Sequence, residues 1–158
     1  MQHLINLGAC SEAKEWAEGK SWQEVYDTCH RGDWLLWLYR RSKDYDLQKL
    51  TLAKGFCANT IRHLMKDERS LKAVDAAIAF GRGEINIDEL NAAAYTAAAA
   101  AYAAAYAAAD AADAAYAAYA AAAAADAAAD ADAAARKENQ QKTADIVREV
   151  LPFKIWEL

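Results

Sequence analysis

The sequence predicts an all-α fold, a compact multi-helix bundle with a long alanine-rich helix or helical hairpin in its C-terminal half. Three observations carry this. Proline occurs once, at Pro152, and glycine six times in 158 residues, so few positions oppose a helix. β-Branched residues cluster nowhere. Residues 101–135 contain only alanine, tyrosine and aspartate, and alanine has the highest helix propensity of all. A chain of this length suffices for one domain with a real core. Composition divides it into an aromatic-rich helical half, 1–83, and an alanine-rich helical half, 84–158.

The elements follow from local signals. Ser11 is an N-cap candidate for the helix in "CSEAKEWAEGK", and Gly19 stops it. Ser21 and Glu24 have the spacing of a capping box for "SWQEVYDTCH". Gly32 is expected to break that helix. Asp33 is expected to cap "DWLLWLYRR", whose last turn carries Arg40 and Arg41, placed to complement the helix dipole. A longer helix is predicted from about Asp46 to Met65. Its apolar positions Leu47, Leu50, Ala53, Cys57, Ile61, Leu64 and Met65 recur at three and four residues and form one face. Another runs from about Arg69 to Ala79 and stops in "FGRGE"; Asp88 precedes the next.

Four of the five tryptophans, Trp16, Trp22, Trp34 and Trp37, fall within the first 37 residues. Trp34 and Trp37 share a helix face. Side chains of this size bury about 150–250 Å² each, so the block is expected to form the core of the N-terminal half. A ligand-stacking box is the alternative, and no phosphate-binding or metal-binding motif accompanies it.

From Asp88 to Val150 there is no glycine or proline. A single helix of that length would span about 95 Å, against a radius of gyration of about 15 Å for a compact chain of this size. At least one turn is expected. Tyr95, Tyr102 and Tyr106 fall within about 40° of one another at 100° per residue. Asp113 would interrupt that stripe, which places the turn near 107–113, with Asp110 or Asp113 as the new cap. Antiparallel alanine helices can then approach closely. The run lacks the glycine, serine and proline of a flexible linker and the large repeating residues of a coiled coil. The tail from 135 onward regains amphipathic character, and Ile146, Val147, Val150 and Leu151 are expected to pack it onto the domain.

Charge is uneven. Residues 1–91 hold 13 Lys/Arg and 14 Asp/Glu; residues 92–135 hold five Asp and no base; residues 136–158 hold five bases and four acids. The acidic excess lies in the alanine run, at Asp110, Asp113, Asp126, Asp130 and Asp132. A net charge of −5 argues against nucleic acid as a direct partner. No signal peptide and no membrane-spanning stretch is visible, and three cysteines without a C-x-x-C pair fit free thiols in a reducing cytoplasm. Cys29, His30, Cys57 and His63 match no zinc spacing. Arg31-Gly32-Asp33 spells an adhesion tripeptide, but Asp33 is better explained as a helix cap. No nucleotide-binding, hydrolase or metalloprotease motif occurs, so no cofactor, metal or catalytic residue is expected.

Two blocks together, "GACSEAKEWAEGKSWQEVYDTCHRGDWLLWLYRR" (8–41) and the alanine/tyrosine/aspartate run ending in "ARKENQQKTADIVREVLP" (135–152), resemble the Imm-5-like immunity proteins of bacteria and their phages. The resemblance implies a non-catalytic inhibitor that binds and occludes a protein: a toxin, as an immunity protein, or a host-defence effector, as an anti-CRISPR-type protein. An acidic inhibitor implies a target with a basic surface, such as a toxin nuclease or a CRISPR-type effector, met by the five aspartates. The bland alternative is that these aspartates only keep an alanine-rich helix soluble. Two other classes stand beside the inhibitor: an assembly protein forming a homo-oligomer through its alanine faces, and an enzyme without a recognisable motif.

Overall fold

A computed structural model describes Leu4 and residues 7–65, 67–99 and 122–153, with backbone alone over 122–132. It is all-helical, and no strand occurs among the described residues. The order is α1 (Ser11–Trp16), α2 (Trp22–Thr28), α3 (Gly32–Tyr39), α4 (Leu47–Asn59), a 3₁₀ turn (Arg62–Leu64) and α5 (Glu68–Gly81). Then come α6, over 87–99, and α7 (Ala122–Val150). α4 packs along α5, and α7 packs against both α3 and α4. The core lies where these meet. Leu50, Ala53, Ala144, Val147 and Leu151 have no exposed surface, and Leu35, Leu38 and Tyr39 join them. Each large aliphatic side chain buried there contributes about 1.5–3 kcal/mol.

Several local signals act as expected. Ser21 Oγ accepts from the Glu24 amide at 3.2 Å while Glu24 Oε2 accepts from the Ser21 amide at 2.7 Å, a complete capping box. The long helix, expected from about Asp46, starts one residue later as α4, and Asp46 caps it through the Lys49 amide at 3.0 Å. Gly19 closes the first helical segment in the left-handed region, at φ 75°. The tail docks through Val147 and Leu151, with Ile146 and Val150 half-buried beside them.

Other expectations are corrected. Ser11 is the first residue of α1 rather than its cap; Cys10 holds the cap position and makes no side-chain bond there. α2 ends at Thr28, where Cys29 turns extended, and Gly32 opens α3 instead of breaking α2. Gly32 is needed for a close approach. A Cβ there would lie 2.5 Å from Thr143 Oγ1 and 2.7 Å from the Thr143 carbonyl carbon, so α3 could not sit as it does on α7. Asp33 is not the cap of α3; Arg31 holds that position and makes no side-chain cap bond. Asp33 lies in the first turn of α3, where its carboxylate accepts from Arg31 Nε at 2.9 Å and Arg31 Nη2 at 2.7 Å. α3 stops at Tyr39, so Arg40 and Arg41 fall just past its last turn.

α4 stops at Asn59, not Met65. The Thr60 hydroxyl lies 2.7 Å from the Cys57 carbonyl, and the chain tightens into the 3₁₀ turn. The predicted apolar face therefore holds only in the middle: Leu50 and Ala53 are buried, whereas Leu47, Ile61 and Leu64 are exposed. α5 starts one residue earlier and ends two residues later than predicted, and Asp67 caps it. α6 begins before Asp88; the Asn86 side chain accepts from the Asp88 and Glu89 amides at 2.9 and 3.1 Å, and Glu89 accepts from the Asn86 amide at 2.9 Å. The four tryptophans are half-buried and pack around the core, whose most buried members are aliphatic side chains with Tyr39 and Cys29. The turn expected at 107–113, Tyr102 and Tyr106 lie outside the described residues.

Candidate functional site

α7 is the element that carries described acidic positions of the alanine run, and its attachment is asymmetric. Its C-terminal part is sunk into the bundle through Ala144, Val147 and Leu151. Arg148 latches it to α2. Its guanidinium donates to the Tyr26 carbonyl at 2.8 Å and to the Cys29 carbonyl, while the Tyr26 hydroxyl donates to the Arg148 carbonyl at 3.0 Å. The Cys57 thiol donates to the Thr143 carbonyl at 3.7 Å, and the Thr60 hydroxyl lies 2.7 Å from Asn139 Oδ1. Burial with only a carbonyl partner pushes the Cys57 thiol up to about 11. Toward its N-terminus the same helix leaves the bundle: residues 133–138 are exposed on every side.

Asp126, Asp130 and Asp132 lie on the N-terminal part of α7, within the stretch described as backbone. Asp110 and Asp113 lie outside the described residues. The antiparallel packing expected of the alanine run falls mostly outside the described residues; of its flanks, Ala133, Ala134 and Ala135 are exposed, as is Tyr95 on α6 at 80%. Methyl groups offer little apolar area, so the hydrophobic gain that would hold such a face against the body is small.

A second feature was legible only in part. Trp16, Trp34 and Trp37 line one cavity of about 390 Å³ together with Leu4, Ala13 and Leu38. The rings of Trp16 and Trp34 lie 5.9 Å apart, tilted 57°, and His30 sits 6.2 and 6.3 Å from the two. A cation is stacked on each indole: Lys20 over Trp16 at 4.5 Å, Arg31 over Trp34 at 4.7 Å and Arg41 over Trp37 at 3.9 Å. Arg40 lies over Tyr45 in the same manner, at 4.0 Å. Two of these pairs, Trp16/Lys20 and Trp37/Arg41, are four residues apart, each tryptophan on a helix and its cation just past the helix end. That spacing is the sequence signal that marks them. The Arg31/Asp33 pair is mutually stabilised: the hydrogen-bonded guanidinium holds the Asp33 carboxyl below its usual range and is itself raised by it.

Other candidates fall away. Cys29 and Cys57 stand on different elements, each donating to a backbone carbonyl, and among the described residues no group of three or more His, Cys, Asp or Glu is placed to hold a metal ion. No helix among the described residues is long and apolar enough to cross a membrane. No family model, curated protein or solved structure matches the chain.

Proposed function

We propose that the protein is a non-catalytic inhibitor that binds and occludes a protein target with a basic surface, in the immunity or anti-defence role that its sequence resemblance implies. The observation that supports this most is the form of α7. One continuous helix is clamped into the core at Ala144–Leu151 and runs out of the bundle at 133–138, toward a stretch whose only charges are aspartates. A rigid anchor lowers the ordering cost of presenting those carboxylates to a partner. A single-sign strip speeds encounter with a basic groove and rejects acidic partners. The target class that fits is a toxin nuclease or an effector whose own groove is built for nucleic acid.

The test has two stages. Immobilised protein is used to capture a partner from a bacterial lysate at low salt, and the captured protein is purified. Its activity is then titrated with the free inhibitor. Loss of activity at one equivalent supports occlusion. A captured partner whose activity is unchanged at saturation, or one that is consumed or modified with turnover, contradicts it.

A further inference from the structure

We propose that the tryptophan-lined cavity between α1, α2 and α3 is a binding site for a small uncharged apolar molecule, of the class of fused-ring aromatics. The site is separate from the α7 surface and does not rest on the inhibitor reading. Its volume, about 390 Å³, falls within the range of small-molecule sites. Its walls are apolar: Leu4, Ala13 and Leu38 join the indoles of Trp16, Trp34 and Trp37. The three indoles are only half-buried, and such rings pair with other aromatic rings in offset or edge-on contact.

The polar part of the lining decides the charge of the ligand. Among the described residues that line the cavity none is basic, and Asp33 is the single acid. Both of its carboxylate oxygens accept from Arg31, at 2.9 and 2.7 Å, so its charge is already matched. The Cys29 thiol donates to the Arg31 carbonyl at 3.4 Å, and exposed Cys10 adds only a weak thiol donor. No buried side-chain nitrogen or oxygen among the described residues lacks a partner. The cations stacked on the indoles, Lys20, Arg31 and Arg41, are not among the lining residues. A charged ligand would therefore give up its hydration with no opposite charge free to meet it. A strongly polar neutral one would lose its bonds to water without replacement. An apolar ligand loses nothing and gains the area of the walls, and apolar cavities in proteins take up such molecules.

The probe is N-phenyl-1-naphthylamine, an uncharged aromatic. Binding is read by energy transfer from tryptophan, on protein whose cooperative melt shows that it is folded. One probe per chain is expected. Three competitors built on one ring system then set the charge: naphthalene, 1-naphthoate and 1-naphthylmethylammonium. Naphthalene should displace the probe about tenfold more effectively than either ion, or better, because each ion sheds its hydration without a partner. Ala13→Phe, which sends a ring into the cavity, should abolish binding, and the smaller change Ala13→Leu should weaken it. Asp33→Asn should leave the probe's affinity unchanged. The competitor series is read on the wild-type chain and depends on none of these variants. Tighter binding of the ammonium compound, lost in Asp33→Asn, would overturn the proposal in favour of a cationic ligand. Tighter binding of the carboxylate, or no binding of the probe, would overturn it too. Several weak sites indifferent to the Ala13 variants would mean adsorption and not a site. Release of the probe as protein concentration rises, with dimers in sedimentation, would assign the cavity to a second copy of the chain instead.

Discussion

Replacing Gly81 by alanine adds one methyl group and should destabilise the protein. The reason is local. A Cβ at position 81 would lie 2.7 Å from Leu52 Cα and 2.8 Å from Leu52 N, so it meets the backbone of α4, which cannot rotate away. Real Cβ atoms do not sit so near, and α5 must shift off α4. Overpacking of this kind costs about 1–3 kcal/mol. Opposing it, a Gly→Ala change in helical backbone restricts the unfolded chain and gains about 0.4–1 kcal/mol. The net expectation is a loss of about 1–2 kcal/mol, or roughly 2–8 °C in Tm for a domain of this size. Gly32→Ala should behave alike, because Thr143 offers a carbonyl carbon at 2.7 Å as well as its side chain. Gly55→Ala should cost less, since the nearest atom, Ile78 Cγ1 at 2.9 Å, belongs to a side chain and the Ile78 amide is 3.2 Å away. Urea unfolding of the three variants measures the order directly. If Gly81→Ala and Gly32→Ala unfold at or above the wild-type midpoint, the helices do not approach as described.

Arg148→Met should cost about 2–3 kcal/mol in urea unfolding, because it strands the Tyr26 and Cys29 carbonyls that the guanidinium satisfies. Asp67 is held at about 2, against 3.8, by the Arg69 side chain and amide; its folded pKa is depressed, so its contribution is present above about pH 4 and fades as pH falls toward 2. Asp67→Asn should flatten the pH dependence of stability in that window alone. Exposed Cys10 should react with a thiol reagent at once, whereas Cys29 and Cys57, both raised by burial, should react only on unfolding.

What the sequence disclosed, and what it hid, follows the range of each interaction. The Ser21/Glu24 box depends on residues three apart, so it could be read directly, and the start of α4 was placed to within one residue of its cap, Asp46. The docking of Val147 and Leu151 was visible because an apolar period resumes after the alanine run. Gly32 looked like a helix breaker because the residue that requires it, Thr143, is more than a hundred positions away. The Arg148 latch was hidden for the same reason, reaching 119 and 122 residues back. Asp33 was misassigned because a cap residue and an ion-pair partner look alike in sequence, and Arg31 two positions earlier decides between them. The tryptophans were expected inside on size alone. Size does not tell whether a ring faces the core or a cavity beside it, although the cations four residues after Trp16 and Trp37 point to half-exposed rings.

The proposal that α7 presents its aspartates to a basic target is tested most directly by association kinetics with the purified target. Wild type is compared with an Asp126→Asn/Asp130→Asn/Asp132→Asn variant, which removes three charges at nearly constant shape. Between about 0.1 M and 1 M salt the screening length falls from about 10 Å to about 3 Å. The variant should associate more slowly at the low end, and the difference should vanish at the high end, with dissociation changed less than association. Equal association rates at low salt, with the fold intact, would contradict the acidic surface of α7 as the site of binding.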